Sequence, residues 1–100
     1  MAKKEKNIVV FRTFKKGGDV IALFPEDAAD SQGRYCVSYQ HVGQHGAADY
    51  EGLMQHATRP ATIAEKTTLA KELRRIGYKL DIRSSAPRGY RTKRFAACTG

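Results

Sequence analysis

Thr62-Ile63-Ala64-Glu65 limits what this chain can fold into more than any other stretch. It fits a capping box, in which the Thr62 side chain accepts the Glu65 N–H and the Glu65 carboxylate reaches back to Thr62. Leu69, Ala70, Leu73 and Ile76 follow at helical spacing, with Lys66, Lys71, Glu72, Arg74 and Arg75 over the rest. Gly77 stands where a helix ends in a left-handed residue. Tyr78 to Arg83 then alternates apolar and polar, as a half-buried strand does. One helix, marked at both ends, therefore runs into a strand.

The amino-terminal half reads as sheet. Asn7 to Phe14 is apolar enough for a strand, and Val20 to Phe24 is its return. Gly17-Gly18 between them supplies the positive φ of a tight hairpin. Without a following Lys-Ser/Thr, the pair is a turn rather than a phosphate loop. Pro25 is expected to end the second strand, because it has no N–H for the ladder. Arg34 to Val42 predicts a third strand, with Tyr35, Val37, Tyr39 and His41 on the expected core face. Asp49 can cap a short helix running to about Ala57, although Gly52 counts against it. The order is β-β-β-α-β. It predicts an α+β fold: a four-stranded, mainly antiparallel sheet with one long helix packed on a face. Residues 1–83 form the expected single domain. Residues 84–100 lack apolar periodicity and are expected to be a basic, extended or flexible tail.

The chain has 100 residues, which suits one domain. Only Ile8 to Phe11 follow the basic start before Arg12, short of the about 7–15 apolar residues of a secretory signal core. No stretch approaches membrane-spanning length. Cys36 and Cys98 do not make a disulfide framework. A cytoplasmic protein with reduced thiols and no membrane association is expected.

The formal charge of +8 is sorted along the chain: +5 over residues 1–16, −5 over 17–58 and +8 over 59–100. Two basic ends around an acidic middle favour a polyanion, or serve only solubility. The carboxyl end joins Arg83, Arg88, Arg91, Lys93 and Arg94 to Tyr90 and Phe95. Cations neutralise phosphates and rings stack on unpaired bases, so this set suits single-stranded DNA or RNA. Lys71, Arg74 and Arg75 of the helix extend it, as do Lys3, Lys4, Lys6, Lys15 and Lys16. A solvated tail is the plainer alternative.

A second candidate is the glycine-rich loop over residues 43–52, with His41, Gly43, His45, Gly46, Asp49 and Tyr50. His41 and His45 lie four apart, but Gly43 between them argues against a shared helix face, and zinc needs further ligands. The loop carries groups for general-base catalysis, and Cys36 beside a histidine would be a nucleophile pair, but neither has a diagnostic spacing. Neither a metal, a cofactor nor catalysis is the leading expectation. The acidic middle and this loop also suit a protein partner, and the exposed edges of a small sheet allow a homodimer.

Residues 18–26 (GDVIALFPE) and 39–50 (YQHVGQHGAADY) resemble a group of small bacterial proteins that travel with phages and other mobile elements. The resemblance spans residues 8–83 and leaves out the basic tail after Ser84. It implies a bacterial or phage setting, and an accessory role around DNA or as an inhibitor of a host system. It brings no catalytic residue.

Overall fold

The computed structural model describes residues 7–40 and 44–99. Strands β1 (Asn7–Phe14) and β2 (Val20–Ala28) form the expected hairpin, and Gly17 and Gly18 take φ of +90° and +74° in its turn. Pro25 does not end β2. The strand runs on to Ala28 through a register shift between Phe24 and Ala28, where a residue lacking an N–H is tolerated. Strands β3 (Cys36–Gln40) and β4 (Gln44–Ala48) continue the antiparallel meander outward.

On the far side, β1 carries two short strands end to end. Strand β5 (Thr58–Pro60) runs antiparallel along Arg12 to Phe14, and β6 (Leu80–Arg83) runs parallel along Asn7 to Val10. The order is β4-β3-β2-β1-β5, with β6 also on β1. The fold is α+β as expected, but among the described residues its sheet is mixed and has six strands rather than four. Strand β4, QHGAA, lacks the β-branched residues and the Tyr, Phe or Trp that signal a strand, and β5, TRP, has only Thr58 before Arg59 and a strand-ending Pro60.

Among the described residues there are three helices, where one long helix and the weaker signal of a short one after Asp49 were expected. Helix α1 (Tyr50–Gly52) starts at an Asp49 cap and widens into a π turn over Leu53–Ala57. Gly52 favours that cap: a Cβ there would lie 2.4 Å from the Asp49 carboxylate. Helix α2 (Ile63–Arg75) has the full Thr62–Glu65 capping box, and Gly77 closes it at φ +116°. Helix α3 (Tyr90–Thr99) replaces the expected extended tail.

The two faces of the sheet are both covered. Val9, Phe11, Ala22, Phe24 and Tyr39 pack under Leu69, Ala70 and Leu73 of α2. Val10, Ile21, Leu23 and Cys36 form a second core with Ala48 and Tyr50, and Tyr90 packs against it. The β3 face expected to look outward is thus buried as well, while Tyr35 is exposed. Each fully buried leucine contributes about 1.5–3 kcal/mol relative to an exposed one, so α2 is held chiefly by Leu69 and Leu73.

Candidate functional site

The second core decides the fate of the carboxyl-terminal cations. Glu51, in the first turn of α1, projects toward α3 and gathers three donors on one oxygen: the Tyr90 hydroxyl, Arg91 Nε at 3.1 Å and Arg94 Nη2 at 3.4 Å. Arg94 is only 3% exposed. Its Nε donates to the Gly33 carbonyl at 3.0 Å, and its guanidinium lies 5.5 Å from the centre of the Tyr90 ring. The Tyr90 ring also meets Tyr50 edge-on, and the Tyr50 hydroxyl accepts the Ala86 N–H at 2.8 Å. Burial pushes the Glu51 carboxyl up, but the Tyr90, Arg91 and Arg94 donors outweigh it and hold it below its ordinary value.

Tyr90 and Arg94 are therefore clamps that fasten α3 to the sheet. Lys93 Nζ lies 3.6 Å from Glu26, and Arg83 makes a two-pronged contact with Asp81 at 3.0 and 2.8 Å. Both cations remain largely exposed, as does Arg91. Phe95 is half-exposed and Arg88 is exposed. The segment presents cations to solvent, but the Tyr90 ring faces inward. The amino-terminal cluster divides too. Lys3, Lys4 and Lys6 lie outside the described residues, and Lys15 and Lys16 are exposed in the β1–β2 turn, whereas the neighbouring Arg12 is buried and donates to Thr58 and Met54.

Of the 43–52 segment, residues 44–52 are an edge strand followed by a helix start, not a loop. His41 and Gly43 lie outside the described residues. His45 sits on the α2 face of the sheet, where its Nε2 is 3.0 Å from the Tyr78 hydroxyl and its ring meets Tyr39 edge-on. Asp49 instead accepts the Gly52 N–H at 3.2 Å. The two do not form a base with an orienting carboxylate. Cys36 is fully buried on the opposite face from His45, and burial pushes its thiol up to about 11. That is the wrong direction for a nucleophile. Among the described residues, no three of His, Cys, Asp and Glu are grouped to hold a metal ion. None of the described helices is long and apolar enough to cross a membrane.

Most carboxylates of the acidic middle have partners within the fold, while Asp19 and Asp49 are exposed. Of the nine described carboxylates, eight have internal partners. Beyond Glu26, Asp49, Glu51 and Asp81, Asn7 donates to Asp27, the Tyr35 N–H to Asp30, and the Tyr39 hydroxyl to Glu72. Glu65 accepts from Thr13 at 2.8 Å, from the Thr62 N–H at 2.8 Å and from both Arg59 nitrogens. Those bonds, Arg59's foremost, hold the Glu65 carboxyl down at about 2. Asp19 is the exception.

No family model, curated protein or solved structure matches the chain.

What the sequence reading underrated is the outward side of α2. With Leu69, Ala70 and Leu73 turned to the sheet, Ala64, Thr67, Thr68, Lys71, Arg74 and Arg75 face solvent along the whole helix. Lys71 and Arg75 are four residues apart, Lys71 and Arg74 three, so the three cations share one patch. Among the described residues, Lys71, Arg74 and Arg75 have no ion-pair partner, and Lys79 follows just beyond the helix. The signal was present in the helical periodicity, since residues opposite Leu69 and Leu73 must point outward.

Proposed function

We propose that this protein is a non-catalytic nucleic-acid-binding module that contacts the phosphate backbone through the outward face of α2. The observation that carries this reading is the division of charge. Eight of nine described carboxylates have partners inside the fold, while Lys71, Arg74 and Arg75 stand together with no ion-pair partner among the described residues. The positive excess of the chain therefore faces outward, which is what a polyanion meets first. Small and hydroxyl residues at Ala64, Thr67 and Thr68 keep the approach to the helix open. Arg88, Arg91 and Lys93 offer a lesser patch on the opposite layer.

The mode of binding differs from base stacking on a tail. Tyr90 is committed to Glu51 and Tyr50, so single strands gain little over duplexes. Contacts confined to phosphate carry no sequence information. Fluorescence anisotropy with labelled random DNA and RNA tests the reading. Wild-type protein is expected to bind single- and double-stranded probes alike at low salt. Replacing Lys71, Arg74 and Arg75 together by Ala is expected to abolish most of that binding without altering the circular dichroism spectrum. Undiminished binding by this variant would overturn the assignment to α2.

A further inference from the structure

Strand β4 ends the sheet, and among the described residues its outer edge pairs with nothing. Natural edges are blunted by charge, proline, bulges or a covering element. The other edge of this sheet is blunted: it is split into β5 and β6, which run in opposite directions and carry Arg59, Pro60, Asp81 and Arg83. Strand β4 has none of these devices. It is Gln-His-Gly-Ala-Ala, and residues 45–47 are exposed. Beside it, on the α3 side of the sheet, runs an open groove of about 640 Å³ floored by Phe14, Ile21, Ala48 and Leu53.

We infer that β4 pairs antiparallel with the β4 strand of a second copy, joining two sheets into one across a two-fold axis. Three features select a second copy as the occupant. First, a chain with net charge +8 repels itself over most of its surface, yet β4 carries no Lys, Arg, Asp or Glu. Like charges are therefore absent at the one place where two copies would touch. Second, full overlap of a five-residue strand with itself puts Gly46 opposite Gly46. Glycine there leaves no bulky pair of side chains at the axis, although a methyl group at that position meets only Ser38 Oγ in ordinary contact. Third, the blunted β5–β6 edge removes the head-to-tail alternative, so association closes at two rather than growing into a filament.

Antiparallel pairing about such an axis keeps equivalent faces together. Both α2 helices would then lie on one side of the joined sheet. Each lies over β1 and β2, so the pair stands about 29 Å apart at ordinary strand spacing, before sheet twist. That is close to the roughly 34 Å turn of duplex DNA. This last consequence rests on the α2 phosphate reading, whereas the dimer does not.

Sedimentation equilibrium without nucleic acid tests the pairing. Wild-type protein is expected to show twice the 11.1 kDa chain mass at high concentration and to dissociate on dilution. Gly46→Lys places two like charges face to face at the axis and should yield the monomer mass. A Cβ at Gly46 meets only Ser38 Oγ at 3.6 Å, an ordinary contact, so the fold should survive, and Gly46→Ala should keep the dimer. Ala47→Lys, at an exposed position, is the second variant should Gly46→Lys fail to fold. A monomer at every concentration of the wild type would overturn the inference. So would a folded Lys variant that dimerises as well as the wild type. Neither result bears on α2 binding phosphate, which the anisotropy measurement reads separately.

Discussion

Replacing Glu51 by Gln removes one negative charge from beneath α3 and keeps the side-chain shape. Three donors lose a carboxylate. Arg91 is 63% exposed, so its share is at most about 0.5 kcal/mol. The Tyr90 hydroxyl loses a bond to a charged acceptor, worth about 1.5–3 kcal/mol, and the amide oxygen restores part of it. Arg94 matters most. A buried cation deprived of its partner costs about 3–5 kcal/mol. Here that figure is an upper bound, because Nη2 sits 3.4 Å from Glu51 and Nε keeps the Gly33 carbonyl. The expected loss is about 2–4 kcal/mol, a large part of the 5–15 kcal/mol that holds a typical domain. For a domain of this length the midpoint should fall by roughly 8 °C or more. Urea and thermal melts of Glu51→Gln and Arg91→Ala, with hydrogen exchange over residues 90–99, measure it. Equal, small losses in both variants, with α3 still protected, would refute the reading of Glu51 as the clamp.

Gly77→Ala should cost about 1–2 kcal/mol, since Gly77 has a left-handed φ with open space around it, leaving backbone strain as the only penalty. An equilibrium urea curve reads it directly. Cys36, in a Cys98→Ser background, should react with a thiol reagent only as fast as the protein opens, because its thiol is buried and pushed up to about 11. Labelling that outpaces global unfolding would contradict this. Stability should also decline in acid. The folded values of Glu51 and Glu65 are depressed, so their contributions are present above the ordinary value of 4.5 and vanish as pH falls through the folded values. For Glu65 that window runs from 4.5 down to about 2, and Glu65→Gln should flatten the pH dependence of the urea midpoint there.

Local signals in the sequence were sufficient for the elements whose cause is local. The Thr62–Glu65 box, the Gly77 stop, the Gly17-Gly18 turn and the Asp49 cap all act within a few residues, and each is where those residues place it. The missed elements depend on distant partners. Strand β4 contains only small and polar residues and is a strand because β3 lies beside it. Helix α3 has no aliphatic stripe. Its inward contacts come from Tyr90 and Arg94, four residues apart, which find Tyr50, Glu51 and Gly33 more than 30 positions earlier. One clue to α3 was available. Ile8 to Phe11 and Val20 to Phe24 are continuous apolar runs, not alternating ones, and such strands are buried on both faces. A single helix covers one face, so a second cover had to come from the rest of the chain. The candidate site shifted for the same reason. Charge counted along the sequence does not distinguish Arg12 and Arg94, which the fold buries, from Lys71, Arg74 and Arg75, which it leaves outside.

The most direct test of the α2 reading is the salt dependence of binding to a labelled random duplex, measured for wild type and for the Lys71, Arg74 and Arg75 triple alanine variant. Each phosphate contact contributes about 0.9 to the slope of log K against log salt, so the variant's slope should be shallower by about 2.7. A slope identical in the two proteins, or a wild type that binds no nucleic acid at low salt, would contradict the account.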